Sequence, residues 1–324
     1  MSSDALPIDR MFRDHYTRLS PVTVVPLFAE TQLSSAWLVT HGRDTKPSFV
    51  AKRTYAGNAD ARRRYTLRTR LYNDLATNQL PVVRLVPLDN GEPALADGDY
   101  VFTVFEMVTS DSEVPISISE TARRLAMLHQ YMSSIQLALP RDSDYSNLND
   151  EEIATGISNA DRLEDKELVV GLRSVLERIH ELYSEEAILT SAEPTAHLYH
   201  ADMHPGNVIQ SRTGPIICDL DSIVSSRRPQ AVAFAASRLS PEDPSRFIEA
   251  YETVSPLAGN EYLALSSGVR REAIERLNWL VRRNLVRGRS EWMADFAKHI
   301  NAIEKWGPNS ISAFCEQVES RQLP

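Results

Sequence analysis

The chain has 324 residues, of which 42% are hydrophobic and 24% are charged, proportions that are ordinary for a globular protein large enough for two cores. Its 35 basic and 44 acidic side chains give a net charge of -9, which disfavours a role in binding nucleic acids or anionic membranes. Because it has no run of about twenty apolar residues and no signal-peptide core, and because its two cysteines, Cys218 and Cys315, imply no disulfide framework, we expect a cytoplasmic protein.

Three β-rich runs and one helical run make up the first part of the chain. The β-rich runs cover residues 22–28, 35–40 and 48–52, and the third ends in a single lysine, Lys52. Apolar spacing then predicts a helix over residues 59–75. This helix carries a group of arginines. Charge patterning favours a solvated basic face for them, and contact with phosphates or with an acidic partner is the alternative. The arginines are Arg62, Arg63, Arg64, Arg68 and Arg70.

A longer strand and a series of helices follow. β-branched and aromatic residues alternate over residues 99–108, which predicts a strand that leads into the polar segment 109–113. Apolar periodicity predicts helices at residues 119–129, 150–157, 166–187, 241–254, 261–286 and 291–306. His129, at the end of the first of these helices, is interpreted as a packed helix residue.

The most informative part of the chain begins at His200. The sequence His-Ala-Asp-Met-His-Pro-Gly-Asn ends at Asn207, and its Pro-Gly pair predicts a turn. Residues 208–209 and 216–218 are predicted to form the two strands of a hairpin, with Cys218 as a buried strand residue. We expect the hairpin to return the next residue along the chain, an aspartate, to the side of Asn207.

Three side chains of this segment match the needs of phosphoryl transfer. That reaction requires a carboxylate that orients the attacking hydroxyl group, and oxygen ligands that hold Mg²⁺ across the phosphates. Asn207 and Asp219 would place an amide and a carboxylate at neighbouring strand ends, and both are hard ligands of the kind that Mg²⁺ prefers. Asp202, five residues before Asn207, then remains as the base.

Two other interpretations of this segment stay open. The cluster of His197, His200, Asp202 and His204 offers ordinary Zn²⁺ ligands within eight residues. A zinc site would give no role to Asn207, however, and no other histidine-rich segment completes its set of ligands. In the second interpretation the segment is purely structural, with a loop carboxylate beside a packed histidine.

With these residues the chain resembles the family of aminoglycoside phosphotransferases and choline kinases, whose fold is related to that of the eukaryotic protein kinases. The resemblance rests on the motif His-x-Asp at residues 200–202, followed by Asn207. It implies an α+β, two-lobed, protein-kinase-like fold. Residues 1–108 would form a small lobe with an antiparallel β-sheet and one main helix, and residues 109–324 a larger, mostly helical lobe with the catalytic hairpin.

The resemblance also implies a role for each candidate residue in the larger lobe. Asp202 would be the catalytic base, and His200 would brace the loop that carries it. Asn207 and Asp219 would be ligands of Mg²⁺, and Asp221 would be a supporting or alternative ligand.

In the small lobe the resemblance implies a site for ATP or GTP. Lys52 would orient the α- and β-phosphates, and backbone groups of Glu106, Met107 and Val108 would hold the base, with Met107 as an adaptable apolar contact.

Two features of the small lobe depart from the family pattern. Family members carry a glutamate on the helix after the lysine strand, but no glutamate occurs between Lys52 and Glu92, and only aspartates are present near the ends of the predicted helix. The loop over residues 29–34 has no glycine, so its backbone cannot wrap phosphates closely. Side chains such as those of Ser34 and Ser35 would then bind the phosphates instead.

The implied reaction is transfer of the γ-phosphoryl group of ATP or GTP to a hydroxyl group of a small molecule, such as an aminoglycoside, an amino sugar or an amino alcohol. The negative net charge tolerates a cationic acceptor. The larger lobe contains a stretch of acidic residues. Charge patterning favours a solvated loop for this stretch, and a role in binding such an acceptor stays open. The stretch comprises Asp142, Asp144, Asp150, Glu151 and Glu152. Two alternative functions also stay open: a bacterial Ser/Thr protein kinase of the same fold, and a catalytically weak nucleotide-binding pseudokinase.

Overall fold

The structure is a computed structural model of the chain. It describes residues 8–27, 34–111, 114–135, 139, 147–182, 184, 197–200, 202–219, 223–240, 243–286, 296–297 and 300. The chain divides into two compact units: the first comprises residues 1–128 and 205–223, and the second comprises residues 129–204 and 224–324. The lobe boundary predicted after residue 108 follows functional landmarks along the chain rather than compactness, and it stays a prediction.

A five-stranded antiparallel sheet forms the centre of the first unit. Its strands are β1 (Val22–Pro26), β2 (Ser34–His41), β3 (Phe49–Tyr55), β4 (Leu95–Asp97) and β5 (Tyr100–Glu106). Their spatial order is β1-β2-β3-β5-β4. Lys52 of the central strand β3 lies between Ala36 of β2 and Thr103 of β5. Pairing on both sides therefore fixes the backbone position from which the lysine side chain extends.

The two faces of this sheet have different environments because side chains alternate along each strand. One face packs against α1 (Ile8–His15), where Phe12 is fully buried in one core with Phe102 and other apolar residues. The other face carries Lys52. Helix α2 (Ala59–Thr77) packs on that second face, because the ring of its Tyr72 lies 5.3 Å from the ring of Phe105.

A β-hairpin completes the first unit. It consists of β7 (Val208–Ser211) and β8 (Gly214–Ile217), in which Val208 is opposite Ile217. The strand that precedes it in the chain, β6 (His197–His200), belongs to the second unit. Gly214 has a φ of +108°, and a Cβ atom there would come within 2.5 Å of the guanidinium group of Arg124 on α3 (Ile118–Ser133). Arg124 also donates to the carbonyl oxygen of Pro215 at 2.8 Å. The positive φ is the reason that the turn requires glycine, and a side chain there would also displace the guanidinium group of Arg124.

The second unit is mostly helical. It contains α4 (Asp150–Ala160), α5 (Lys166–Glu177), α6 (Arg228–Leu239), α7 (Pro244–Glu252) and α8 (Gly259–Leu280), which continues as a π-helical turn (Val281–Val286). Strand β6 (His197–His200) pairs with β9 (Ile223–Ser226). The main core is formed where α4, α5 and α8 meet, and it includes Leu172, Leu176, Ile274 and Leu277, each at most 1% exposed.

Helices α6 and α8 approach each other to backbone contact. A Cβ atom on Gly268 of α8 would lie only 2.7 Å from the Cα atom of Gln230 on α6. Further along the same contact, the side chain of Gln230 donates to Glu275 Oε2 at 3.1 Å. The close approach fixes α8 against α6 and thereby determines where the later residues of α8 lie.

The fold class is α+β, as the sequence predicts, and most predicted elements are confirmed. The predicted strands correspond to β1, β2, β3, β5, β7 and β8, and the predicted helices to α2, α3, α4, α5, α7 and α8. The helix predicted over residues 166–187 is shorter, because α5 ends at Glu177. The helix predicted over residues 291–306 lies mostly outside the described residues, as does the loop before Ser34.

Five elements of the described part of the chain are not predicted by the sequence patterns: α1, β4, β6, β9 and α6. The middle of helix α6, residues 231–236, is apolar on every side, and nine of the 12 residues of the helix are buried, so it has no periodic stripe. Helix α1 and strand β4 are only 8 and 3 residues long, too short for a periodic pattern to be recognised. None of the helices in the described part of the chain is both long and apolar enough to cross a lipid bilayer.

Candidate active site

An ion pair between Lys52 and Asp219 lies in the first unit. Nζ of Lys52 is 2.7 Å from Oδ1 of Asp219, although the residues are 167 positions apart in the sequence. Strand β3 supplies the lysine, and the segment after β8 supplies the aspartate. The side chains are 21% and 41% exposed, so a ligand can reach both charges. Asp219 thus provides the acidic partner for Lys52 in a chain that has no glutamate on the helix after β3.

The hairpin brings Asn207 and Asp219 to neighbouring strand ends. The carbonyl oxygen of Asn207 accepts a hydrogen bond from the N–H group of Cys218 at 3.0 Å, directly before Asp219. Asn207 is 6% exposed, and Asp219 has a φ of +56°, a left-handed conformation that few L residues adopt. Such backbone conformations are concentrated at functional sites. An amide and a carboxylate are hard oxygen donors, so these two side chains fit the chemistry of Mg²⁺.

Cys218 lies between β8 and Asp219. The chemistry of its thiol does not support a catalytic role. It is half-buried and follows β8 rather than lying within it. Burial, together with the adjacent Asp219 carboxylate, raises the pKa of the Cys218 thiol to about 12. The thiol therefore stays protonated at neutral pH and is a poor nucleophile and a poor metal ligand.

A cavity of about 570 Å³ lies in the first unit beside the residues predicted to hold the nucleotide base. Glu106, Met107 and Val108 all line it, together with Arg84 and Ile216 among others. The side chain of Met107 is available as an apolar contact because the residue is 40% exposed. The volume is within the usual range for a small-ligand site.

Part of the backbone at this cavity is already engaged. The N–H group of Glu106 donates to the carbonyl oxygen of Arg84 at 2.9 Å, and that of Met107 donates to Ser48 at 2.8 Å. A base bound in the cavity would therefore have to use the N–H group of Val108, the carbonyl oxygens or the side chains.

The two serines predicted to bind phosphates lie within β2 rather than in a loop. Ser34 is opposite Thr54 and Ser35 is opposite Arg53 in the register of β2 and β3. Ser35 is 2% exposed, and its hydroxyl oxygen accepts a hydrogen bond from Arg53 at 3.3 Å. Because the next residue, Ala36, is the one opposite Lys52, the Ser35 side chain lies on the other face of the sheet. The structure does not bring this hydroxyl group to Lys52.

In the second unit, Asp202 contacts three nitrogen-bearing groups. Its Oδ1 accepts a hydrogen bond from Arg276 Nη2 at 2.7 Å, and its Oδ2 lies 3.9 Å from Nε2 of His204. Its backbone N–H group donates to Nδ1 of His200 at 3.2 Å, and His200 is fully buried at the end of β6. The acceptor nitrogen must be unprotonated, so His200 carries its proton on Nε2. This hydrogen bond links the buried His200 side chain to the backbone of the loop that carries Asp202, and the predicted bracing role requires such a link.

His129 is a packed residue, as the sequence predicts. It is 1% exposed, its Nδ1 lies 3.0 Å from the hydroxyl oxygen of Tyr251, and its ring centroid lies 4.9 Å from that of Tyr199. Burial lowers the pKa of His129 well below its ordinary value, and the nearby His200 and Arg228 lower it further. The imidazole is therefore neutral at physiological pH.

The remaining candidates have structural roles or cannot be placed. Asp142, Asp144 and Asp221 lie outside the described residues. Glu152 completes the capping box at the start of α4 and pairs with Arg282 at 2.7 Å. In the ranges that the structure describes, no three or more His, Cys, Asp and Glu side chains are grouped in a way that would hold a metal ion.

Arg276 is the most informative residue that the sequence patterns do not single out. It lies three residues after Ala273 and four before Leu280, both of which are buried in the core. A charged residue within the apolar stripe of a helix is a signal that it has a buried partner, but the sequence does not identify that partner as Asp202.

The sheet with its central lysine, the hairpin and the helices together define a kinase-like phosphotransferase. A model of the phosphotransferase enzyme family matches residues 25–258 of the chain. The chain therefore belongs to this family of small-molecule phosphotransferases and is an enzyme that acts on hydroxyl groups. No curated protein sequence matches the chain.

Solved structures of kinases share the fold. A spectinomycin phosphotransferase in complex with ADP and spectinomycin is 15% identical, with a TM-score of 0.62 over 95% of this chain and 96% of the other. An aminoglycoside phosphotransferase from Alicyclobacillus acidocaldarius subsp. acidocaldarius DSM 446 is 14% identical, with a TM-score of 0.58 over 99% and 97%. A choline kinase from Cryptosporidium parvum Iowa II is 12% identical, with a TM-score of 0.57 over 93% of each chain. Identities this low establish the protein-kinase-like fold and not the substrate.

Proposed function

We propose that the protein transfers the γ-phosphoryl group of ATP or GTP to a hydroxyl group of a small molecule. The 2.7 Å contact between Lys52 and Asp219 is the observation that carries this proposal. Phosphoryl transfer needs a cation on the nucleotide phosphates and a carboxylate for the metal ion that bridges them, and the two must be adjacent. The first unit supplies that pair from β3 and from the segment after β8.

The first unit would bind the nucleotide. Lys52 would orient the α- and β-phosphates, and the cavity beside Glu106, Met107 and Val108 would receive the base. Asn207 and Asp219 would hold Mg²⁺, which when bound neutralises charge that develops on the phosphate oxygens. The structural neighbours that bind ADP or an ATP analogue support an adenine nucleotide as the donor.

The second unit would supply the base. The proton of the acceptor hydroxyl group would move to a carboxylate oxygen of Asp202 as the acceptor oxygen bonds to the γ-phosphorus. The bond between that phosphorus and the oxygen that bridges it to the β-phosphorus would break, and ADP or GDP would leave with the electron pair. His200 would hold the backbone of Asp202 during this step through the hydrogen bond to Nδ1.

The test is to measure the release of ADP or GDP in the presence of Mg²⁺ with a panel of sugars, nucleosides, amino alcohols and aminoglycosides. Mass spectrometry of the acceptors then identifies the phosphorylated product. We expect turnover with at least one acceptor, and turnover that is about 10³-fold slower with the Asp202→Asn variant. Phosphate incorporated only into protein would instead indicate the Ser/Thr kinase, and nucleotide binding without turnover would indicate the pseudokinase; either result contradicts the proposal.

A further inference from the structure

The ion pair between Arg276 and Asp202 is partly buried and held by a third residue. The side chains of Arg276 and Asp202 are 20% and 21% exposed, and the two groups are 2.7 Å apart. The guanidinium carbon of Arg276 lies 4.8 Å from the centroid of the Phe234 ring on α6. A planar guanidinium group held against an aromatic face loses much of its freedom before it binds a carboxylate.

The packing of α6 against α8 fixes the position of Arg276. Gly268 places the two backbones in contact at Gln230, and Gln230 donates to Glu275, the neighbour of Arg276. Arg271 holds the other oxygen of Glu275 at 3.2 Å. Phe234, the residue of α6 whose ring contacts Arg276, is four positions after Gln230 and therefore lies on the same face of that helix. The guanidinium group is therefore part of a rigid contact and not a mobile surface charge.

This arrangement determines what an acceptor meets at Asp202. Arg276 occupies Oδ1, whereas Oδ2 lies at a distance of 3.9 Å from the imidazole of His204. A hydroxyl group that reaches the carboxylate must bring its neighbouring substituents close to the fixed guanidinium group. Because the guanidinium group neutralises the charge of Asp202, the carboxylate gives an ammonium group on the adjacent carbon little net attraction, and an ammonium group that lies nearer to Arg276 than to Asp202 is repelled.

Other carboxylates of the second unit are already compensated by cations. Glu261 pairs with Arg228, Glu152 with Arg282 and Asp161 with Arg173. A further pair is Glu275 with Arg271. Several of the carboxylates that would attract a cationic acceptor to this unit thus already have partners, and Glu152 of the acidic stretch is among them.

Resting on the proposed function, we propose that Arg276 positions Asp202 and selects acceptors that carry no cationic group beside the reacting hydroxyl group. The acceptor class is then uncharged or anionic hydroxyl compounds, such as sugars, polyols or nucleosides. This narrows the expectation from the sequence, which includes amino sugars and amino alcohols. Arg276 acts through Asp202 and through its charge, so its loss affects turnover and selectivity together.

The experiment compares matched pairs of acceptors that differ by one amino group. Glucose with glucosamine, and glycerol with 2-amino-1,3-propanediol, are two such pairs, and the best acceptor of the wider panel with its amino analogue is a third. Rates of ADP release and KM for each acceptor are measured for the wild type, Arg276→Gln and Arg276→Lys. Arg173→Gln removes a guanidinium group of the same unit from an exposed ion pair with Asp161 and is the matched control. Thermal unfolding of each variant verifies that it is folded.

We expect the wild type to prefer the uncharged member of a pair by about tenfold or more in kcat/KM. Arg276→Gln should lower kcat for the uncharged acceptor by roughly ten- to a hundredfold and bring the preference close to one. Arg276→Lys keeps the charge but not the planar contact. It should keep the preference, and its kcat should lie between those of Arg276→Gln and the wild type. Arg173→Gln should change neither quantity.

Two results would overturn this inference while the proposed function survives. One is a wild type that phosphorylates the amino compounds as well as their uncharged partners. The other is an Arg276→Gln variant, folded, that behaves like Arg173→Gln. A wild type that phosphorylates no acceptor, with nucleotide hydrolysis that does not depend on Asp202, would instead reject the proposed function and this inference with it.

Discussion

Two ion pairs, one in each unit, have the same length but different surroundings. Lys52 and Asp219 in the first unit, and Arg276 and Asp202 in the second, each have a nitrogen and an oxygen 2.7 Å apart. The Asp219 side chain is 41% exposed, and Lys52 is a flexible, strongly hydrated point charge. The Asp202 side chain is 21% exposed, and its partner is a planar group that lies on an aromatic ring.

The difference indicates that a short distance does not define a role. A ligand can reach both Lys52 and Asp219, so each residue can exchange its partner. The two residues are therefore suited to separate and to bind phosphates and a metal ion. Arg276 is held by packing and has no comparable freedom, so it is suited to keep the base in one orientation. Four variants test this contrast, taken from the largest expected effect to the smallest.

Replacing Asp202 by asparagine should have the largest effect. The change keeps the shape of the side chain but removes the proton acceptor, so we expect kcat to fall by about 10³-fold, within the usual range for a general base. The affinity for ATP, measured by calorimetry, should stay within about twofold, because nucleotide contacts are expected from the first unit. Asp161→Asn, at an exposed carboxylate of the same unit, is the control. If Asp202→Asn keeps a kcat close to that of the wild type, Asp202 is not the base.

Replacing Lys52 by methionine should weaken nucleotide use by a different route. Loss of the ammonium group removes a charge from the phosphates, so we expect kcat/KM for ATP to fall by roughly 10²-fold and KM to rise. Lys46→Met, at an exposed position between β2 and β3, is the matched control. An unchanged KM for ATP would mean that the contact with Asp219 is only structural, and the contrast between the two pairs would then be lost.

Replacing Gly268 by alanine should show whether helix packing controls the second pair. The added Cβ atom would lie 2.7 Å from Gln230 Cα, so α8 must shift, at a cost of about 1–3 kcal/mol in the free energy of unfolding. Because the shift carries Arg276 with it, kcat should also fall by about tenfold. Chemical unfolding and ADP release measure the two effects. Gly259→Ala is the control on the same helix, since nothing lies within 4 Å of its added atom. Equal stability of both variants would contradict this account.

The smallest effect that we expect is a pH dependence of the free energy of unfolding, which comes from His129, a neighbour of His200. The pKa of His129 is lowered in the folded protein by burial, whereas the unfolded chain titrates near the ordinary value of 6.5. Below that pH the unfolded chain binds a proton that the folded protein does not, so stability is lost as pH falls. The loss should approach 1.4 kcal/mol per pH unit, roughly the limit for one proton.

Urea unfolding between pH 7 and pH 5 measures this slope. His129→Asn should reduce it while it lowers stability at pH 7, because the buried ring is lost. His180→Gln, at a half-exposed histidine that pairs with Asp150, should leave the slope nearly unchanged. A slope that is the same in all three proteins would show that another group is responsible.

Much of the fold follows from local patterns. The strands of the first unit, the helix after Lys52 and the hairpin are predicted within a few residues, because alternation and turn residues act over short stretches of chain. The order of Asp202, Asn207 and Asp219 could be recognised for the same reason. Helix α6 could not be predicted, because residues 231–236 in its middle are apolar on every side and show no periodic contrast.

Local sequence patterns could not identify the partners of the charged residues. The sequence directed attention to the helix after β3 for a partner of Lys52, but the structure supplies Asp219, 167 positions away. It directed attention to Ser35 for phosphates, but β pairing turns that side chain to the other face of the sheet. The sequence did not connect Arg276 with Asp202, since 74 residues separate them.

The sequence by itself determined the class of chemistry, because the residue types and short spacings of residues 200–219 are local properties. The tertiary structure alone decided which charges meet: Lys52 with Asp219 through a sheet and a hairpin, and Asp202 with Arg276 through the backbone contact of two helices at Gly268. The physical reason is that an ion pair depends on a distance of a few ångströms between atoms, and packing sets that distance for residues far apart in the chain.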